Sequence, residues 1–309
     1  MNKFILRQSL LLLLTAVVWG VAFVAQSVGM EYIGPFTFNA IRNLIGAVVL
    51  IPCIALLQKK NNSRELKTEK GEDKKELLLG GVVCGVLLCI ASNIQQFGMK
   101  YTTVGKAGFI TAMYIVIGPI FGIFLKKKAG FKVWIAVVIA VAGLYMLCMT
   151  EGSFSFQKGD LLVFCCAFVF SAHILTVDHF AARVDGVKMA CIQFFTCSVL
   201  SAVGMLLFEE PDVDMILAAW VPILYAGALS CGVGYTLQIV GQRGMNPTVA
   251  SLILSLESVV SVIAGWLILG QKLSARELMG CIFMFAAIIL VQLPNTKRVG
   301  GLEQCEKSA

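Results

Sequence analysis

Charged residues are scarce in this chain, making up 14% of its 309 residues, whereas soluble domains carry roughly a quarter. Hydrophobic residues account for 58%, and the mean hydropathy is +0.86. Apolar runs close to the roughly 20 residues that a helix needs to cross a bilayer recur along the whole sequence. These features exclude an ordinary soluble domain and predict an all-α integral membrane protein, with the lipid bilayer as its surroundings.

Motifs for catalysis, metals and cofactors are also missing. The sequence has two histidines, no CxxC pair, no phosphate-binding glycine loop, no HExxH and no GxSxG. Most of the 11 cysteines fall in apolar segments, where a free thiol packs as a small hydrophobe. We therefore expect no catalytic residue, no metal, no cofactor and no enzyme. Positively charged membrane loops explain the net charge of +7 without a nucleic-acid partner.

Ten apolar segments are predicted to span the membrane, at residues 9–28, 34–57, 77–99, 104–125, 131–149, 159–178, 186–208, 214–236, 246–270 and 276–293. With a cytoplasmic N-terminus, nineteen Lys and Arg residues fall inside and five outside. This asymmetry follows the positive-inside rule. It predicts a multi-pass protein of the cell membrane with both termini in the cytoplasm.

The two halves of the chain carry a weak internal repeat. An offset of 143 residues aligns Gln95 with Gln238 and Tyr114 with Glu257, and an offset of 151 aligns Trp19 with Phe170 and Arg42 with Gln193. We predict two related units, residues 1–150 and 151–309, with five helices in each. Because five is odd, the second unit would enter the membrane from the opposite side. Such inverted repeats place a binding site near the bilayer midplane.

Four stretches resemble the EamA family of the drug/metabolite transporter superfamily: WGVAFVAQ (19–26), PFTFNAIRNLIGA (35–47), KYTTVGKAGFITAMYIVIGPIFGIFLKKK (100–128) and NPTVASLILSLESVVSVIAGWLILGQKLSARELMG (246–280). The resemblance covers essentially the whole chain as two tandem copies. It implies ten helices in two inverted halves and transport of a solute, often outward. The chain departs from the family pattern at Ser258 and Gln271, where proline and glutamate are usual.

Two full charges lie deep within predicted spans, away from the span ends. Arg42 is about nine residues into its span, roughly 13 Å deep, where an arginine costs at least about 2.5–3.5 kcal/mol. Asn39, three residues earlier, shares its helix face. This pair predicts recognition of an anionic group, because the guanidinium fork suits carboxylates and phosphates. Glu257 could pair with Arg42, bind a proton or meet a substrate amine, and a structural ion pair is an equal alternative.

Several uncharged polar and aromatic residues are further candidates for the solute site. His173 is the one histidine well inside a predicted helix, and glutamines recur at related positions of the two halves. Packing is the ordinary role of such residues in membranes. The complete set of predicted substrate-binding residues is Trp19, Asn39, Arg42, Gln95, Tyr114, His173, Gln193, Gln238 and Glu257.

Three functions are compatible with this composition. The repeat and the interior charges favour a secondary transporter that exports a small metabolite, such as an amino acid, by alternating access. A membrane-embedded enzyme would need a carboxylate pair or a histidine cluster within the membrane, and the sequence has neither. A passive channel would show a filter-like loop or a ring of polar residues. Protons are a further candidate partner, and the residues indicate no oligomeric state.

Overall fold

The structure, a computed structural model, describes residues 3–62, 74–101, 104–124, 130–148, 158–270 and 275–292. Its elements are helices throughout: α1 Lys3–Gly29, α2 Pro35–Asn62, α3 Lys74–Met99, α4 Val104–Ala112, α5 Tyr114–Phe124, α6 Phe131–Cys148, α7 Lys158–Ala181, α8 Gly186–Phe208, α9 Val213–Ala218, α10 Trp220–Leu224, a π-helix at Tyr225–Tyr235, α11 Thr236–Gln242, α12 Pro247–Leu254, α13 Glu257–Leu269 and α14 Ala275–Gln292. The described residues contain no strand.

Seven helical stretches in the described residues are long and apolar enough to cross a membrane: Lys3–Gly29, Pro35–Ala55, Lys74–Met99, Lys158–Ala181, Gly186–Phe208, Trp220–Gln242 and Pro247–Ile268. Shorter apolar helices lie at Ile110–Ile123, Phe131–Gly143 and Leu278–Ala287. Exposed large apolar side chains run along these helices, as expected of a surface that faces lipid rather than water. The chain is therefore a multi-pass membrane protein.

Short polar turns set where the helices begin and end. Asp185 accepts hydrogen bonds from the backbone N–H groups of Val187 and Lys188 and so caps the start of α8. Asn246 caps α12 through Thr248 N, with a proline at the first helical position. At the end of α13, Gly270 has φ +66°, a left-handed conformation that glycine adopts without steric cost.

Two predicted spans are interrupted near the middle. In segment 104–125 the break is at Met113, so that Tyr114 begins α5. In segment 246–270 it falls between α12 and α13, and Glu257 begins α13. Backbone hydrogen bonds continue across both breaks, for example from Ser258 N to Ser255 O and from Ile117 N to Met113 O, so each span remains one helical stretch with a tightened turn.

The helices pack as pairs in which one helix comes from residues 1–150 and the other from residues 151–309. α2 lies against α8, α3 against α7, and α6 against α14. α1 packs against both α13 and the π-helix. Glycines allow close approach at these crossings: a Cβ on Gly85 would lie 2.7 Å from the carbonyl oxygen of Gln193. The polar residues enclosed between these helix pairs form the candidate site.

Candidate functional site

A cavity lies between α1, α2, α3, α4, α5, α7, the π-helix, α11 and α13. Its polar lining consists of Gln26, Arg42, Gln95, Thr111, His173, Ser230, Gln238 and Glu257. Its aromatic lining consists of Trp19, Phe23, Tyr114, Phe170 and Tyr235, with Ala22 and Ile174 completing the wall. Seven of the nine sequence-predicted residues line this cavity: Trp19, Arg42, Gln95, Tyr114, His173, Gln238 and Glu257.

Arg42 reaches the cavity from α2 with only 4% of its surface exposed. Its Nη1 donates to the amide oxygen of Gln26 at 2.9 Å. Its guanidinium carbon lies 5.6 Å from the ring centre of Phe38, a cation–π contact. The Nε atom of Arg42 has no hydrogen-bond partner. The guanidinium is thus held in place by neutral groups and keeps a donor to spare.

Glu257 reaches the same cavity from α13 and is also only 4% exposed. The hydroxyl of Tyr114 donates to Glu257 Oε1 at 2.9 Å. These two residues are the aligned positions of the internal repeat. A phenol is a neutral donor, so it orients the carboxylate without cancelling its charge.

Arg42 and Glu257 do not form an ion pair with each other. The described residues hold a salt bridge between Arg183 and Glu76, at 3.0 Å on the surface, but none that joins the two cavity charges. The cavity therefore presents a cationic group and a carboxylate as separate binding groups on different helices.

Neutral polar groups fill the remaining wall. His173 Nε2 lies 2.9 Å from Gln193 Oε1, while His173 Nδ1 and Gln193 Nε2 have no partner. Gln95 donates to Thr111 Oγ1 at 3.0 Å. The amide oxygen of Gln238 has no hydrogen-bond partner. Unpaired polar atoms that line a buried cavity are costly unless water or a ligand satisfies them.

Two predicted residues lie outside the cavity lining. Asn39 is fully buried and donates to Asn93 Oδ1 at 2.9 Å, so it links α2 to α3 instead of standing beside Arg42 in the cavity. The expected pair of Asn39 and Arg42 is therefore not formed there. Gln193 stands behind the wall, where it contacts the cavity through His173.

The cavity is small in this conformation, with a volume of about 40 Å³. That is room for about three water molecules. A metabolite of several heavy atoms would need the wall to move. The described residues contain no group of three or more His, Cys, Asp or Glu side chains arranged to hold a metal ion.

Comparison with known proteins defines the family. The sequence matches the EamA-like transporter family over residues 6–149 and again over 157–293. The chain belongs to this family. An uncharacterized transporter of Archaeoglobus fulgidus is 27% identical over 283 residues, covering 91% of this chain and 84% of the relative. The uncharacterized transporter YoaV of Bacillus subtilis is 24% identical, covering 91% and 95%.

Two further likenesses agree with this placement. Protein PagO of Salmonella typhimurium is 25% identical over 302 residues, covering 94% of this chain and 95% of the relative. One solved crystal structure superposes with a TM-score of 0.74 over 92% of this chain and 96% of its own, at 16% identity. At that identity the likeness concerns the fold alone. As an EamA-like protein, the chain is a membrane transporter of small solutes.

Four polar lining residues of this EamA-like chain were missed by the sequence prediction: Gln26, Thr111, Ser230 and Tyr235. Gln26 lies within the WGVAFVAQ stretch and could have been predicted, because a buried arginine needs a hydrogen-bond acceptor on a neighbouring helix. Ser230 and Tyr235 lie in the π-helix, and hydropathy does not report such a change of helix type. Thr111 is an ordinary residue of an apolar helix.

Proposed function

We propose that this protein is a secondary transporter that carries a small zwitterionic metabolite, such as an amino acid, out of the cell by alternating access. One observation supports this most strongly: Arg42 and Glu257 line one buried cavity without pairing with each other. A solute with a carboxylate and an ammonium group would complement both.

The energetic argument rests on the cost of these charges. An arginine at the bilayer centre costs at least about 2.5–3.5 kcal/mol, and a buried charge without an opposite charge is strongly unfavourable. Gln26 and Tyr114 supply neutral hydrogen bonds but no counter-charge. A zwitterion offsets both costs at once, whereas a neutral sugar would offset neither.

In this proposal each charged group has a separate role. Arg42 binds the solute carboxylate, with its unpaired Nε as one donor. Glu257, oriented by Tyr114, accepts a hydrogen bond from the solute ammonium or binds a proton. Gln238 and His173 offer polar atoms to the rest of the solute. Trp19 closes the wall beside Tyr235, with ring centres 4.5 Å apart.

We further propose ten spans arranged as two inverted halves, residues 1–150 and 151–309. The double family match supports this division. Packing contacts support it too, because Gly98 lies against Val163 and Gly241 against Leu12. The two glycines are 143 residues apart, and Val163 and Leu12 are 151 apart, the offsets of the internal repeat. Equivalent contacts in the two halves would let the cavity open alternately to either side.

We propose the orientation and the direction of transport on separate grounds. The excess of Lys and Arg on one side supports cytoplasmic termini in the cell membrane. Export is the direction that the family resemblance favours.

The proposal is tested by solute flux in proteoliposomes. Purified protein is reconstituted and assayed with labelled amino acids, nucleosides and sugars, with and without an imposed pH gradient. We expect saturable amino-acid flux that Arg42→Gln abolishes and Arg183→Gln leaves unchanged. Arg183 is the matched control, since its ion pair with Glu76 is exposed and outside the cavity. Equal flux in the Arg42 variant would refute the proposal.

The same assay separates the two alternatives. Flux that never saturates would favour a channel, and chemical conversion of a solute without flux would favour a membrane-embedded enzyme. A pH gradient that accelerates wild-type flux but not that of Glu257→Gln would identify a coupled proton at Glu257.

A further inference from the structure

The span Trp220–Gln242 contains eleven consecutive residues of π-helix, Tyr225–Tyr235. In a π-helix each N–H bonds the carbonyl five residues back instead of four. This geometry is rare, usually limited to a single turn, and frequent at functional sites. Here the segment supplies Ser230 and Tyr235 to the cavity wall.

The corresponding helix of the first half, α3, has no such segment. Near the start of the π-helix the two halves align at an offset of 142: Gly85 packs against the carbonyl of Gln193, and Gly227 against that of Arg42. After it the offset is 143, since Gln95 aligns with Gln238. The second half therefore has one residue more than α3 between two matched points.

We infer that the π-helix accommodates this additional residue, and that Thr15 and Trp19 are positioning residues that hold it so that Tyr235 and Gln238 face the cavity. The inference rests on the proposed pair of related halves and on transport through this cavity. The cavity receives Gln95 from a regular helix and Gln238 from beyond the π-helix. An additional residue in a regular α-helix would turn everything after it by about 100°.

Two donors from α1 contact the carbonyls of the π-helix. Thr15 Oγ1 lies 3.3 Å from the carbonyl oxygen of Gly234 and 3.0 Å from that of Leu11 in its own helix, so its one hydrogen is shared between them. Trp19 Nε1 lies 3.3 Å from the carbonyl oxygen of Ser230. Gly234 makes room for the indole, because a Cβ there would lie 2.7 Å from Trp19 Nε1. The indole ring also packs on Tyr235. The single N–H of Trp19 therefore donates to the protein backbone and is not available to a solute.

α7, the helix that packs on α3, has no equivalent of these donors. The residues 151 positions after Thr15 and Trp19 are Cys166 and Phe170. A thiol is a weak donor and a phenyl ring has none. The π-helix of the second half thus faces α1, which carries these donors, while the regular α3 of the first half faces α7, which lacks them.

Two single-residue deletions test the additional residue without any substrate. Deleting Leu229 from the π-helix should give a regular helix with Tyr235 and Gln238 still in place. Deleting Ile90 from α3 should turn Gln95 and Gly98 away from their contacts. Both side chains are 44% exposed, so the two losses of packing are matched.

We expect the Leu229 deletion to insert, elute as one peak in detergent and unfold cooperatively, and the Ile90 deletion to aggregate. Identical behaviour of the two deletions, whether both fold or both aggregate, would overturn the inference. This readout is independent of transport, so it stands even if no amino acid is carried and the proposed function fails.

Substitutions at Thr15 test the positioning role, since Thr15 is buried but does not line the cavity. Thr15→Val should raise the KM for the best-transported amino acid of the flux panel roughly threefold to tenfold, with Vmax unchanged. Thr15→Ser should restore the KM. Thr176→Val is the control, because Thr176 bonds only its own helix at Ala172. A fall in Vmax alone, or no rescue by serine, would contradict the role.

Discussion

Tyr114 and Glu257, 143 residues apart in the sequence, meet in the centre of the protein with the tyrosine hydroxyl 2.9 Å from the carboxylate. Each is the first residue after a break in its helix. Two aligned positions of a repeat contact each other when both lie close to the axis that relates the halves. The contact therefore supports a two-fold arrangement and places Glu257 at the centre of the proposed solute path.

Removing the tyrosine hydroxyl should weaken transport. In Tyr114→Phe the ring remains, but Glu257 loses the donor that orients it. A hydrogen bond to a charged group contributes about 1.5–3 kcal/mol, so we expect Vmax/KM to fall at least about tenfold. Tyr225→Phe is the control, since that hydroxyl donates to the Val18 carbonyl outside the cavity. Equal losses in both variants would argue against a specific role for Tyr114.

The role of Arg42 can be separated from general damage by changing the solute. Binding of an amino acid is compared with that of its decarboxylated amine, in wild type and in Arg42→Gln. Wild type should prefer the amino acid by at least about tenfold, as expected for a charged hydrogen bond. The variant should show no preference. If the loss of affinity from Arg42→Gln and the loss from removing the solute carboxylate simply add, Arg42 does not contact the carboxylate.

The start of α2 makes a separate prediction about stability. Glu209, just after α8, accepts from Phe36 N at 2.9 Å and from Thr37 N at 2.8 Å. At the start of α8, which corresponds to α2 in the repeat, the capping residue is Asp185, directly before the helix. Gly34 occupies that local position in the first half, 151 residues earlier. A Cβ on Gly34 would collide with the Glu209 carboxylate.

We therefore expect Glu209→Ala to cost about 1–2 kcal/mol through loss of the cap, seen as a lower Tm in detergent. Adding Gly34→Asp to that variant should restore the Tm, whereas Gly34→Asp alone should lower it. A double variant no more stable than Glu209→Ala would show that the carboxylate does not act as the cap.

Close packing between α3 and α7 predicts a contrast between two glycines. A Cβ on Gly98 would lie 2.5 Å from Val163 Cγ2, whereas one on Gly118 would meet nothing within 4 Å. Gly98→Ala should therefore destabilise the protein by about 1–3 kcal/mol. Gly118→Ala should be neutral or stabilising, because alanine favours a helix. Thermal unfolding of both variants checks this, and a similar Tm for the two would contradict the packing described here.

Hydropathy and charge predicted much of this arrangement. The helical stretches coincide with apolar segments of the sequence, since burying an unpaired backbone in lipid forces helix formation. Arg42 and Glu257 could be identified as candidate site residues because a charge within an apolar membrane span is energetically costly and usually functional. The repeat offset also aligned Tyr114 with Glu257, although it did not predict that the two side chains are in contact.

Other features depend on three-dimensional packing. Asn39 was expected beside Arg42, but residues three apart differ by about 60° around a helix. That angle is enough to direct Asn39 to Asn93 on α3. The breaks at Met113 and before Glu257 and the π-helix leave the apolar pattern unchanged, so hydropathy could not show them. The one-residue change of offset was visible only after the glycine contacts had matched the two halves.

Counterflow tests the central proposal, alternating access by a carrier, most directly. Proteoliposomes are loaded with a high concentration of the unlabelled amino acid that gives the highest flux, and a trace of the labelled form is added outside. A carrier that exchanges one solute for another predicts transient accumulation of label above its equilibrium level, absent in Arg42→Gln. Simple equilibration without an overshoot, unchanged by the substitution, would contradict a carrier and indicate a passive pore.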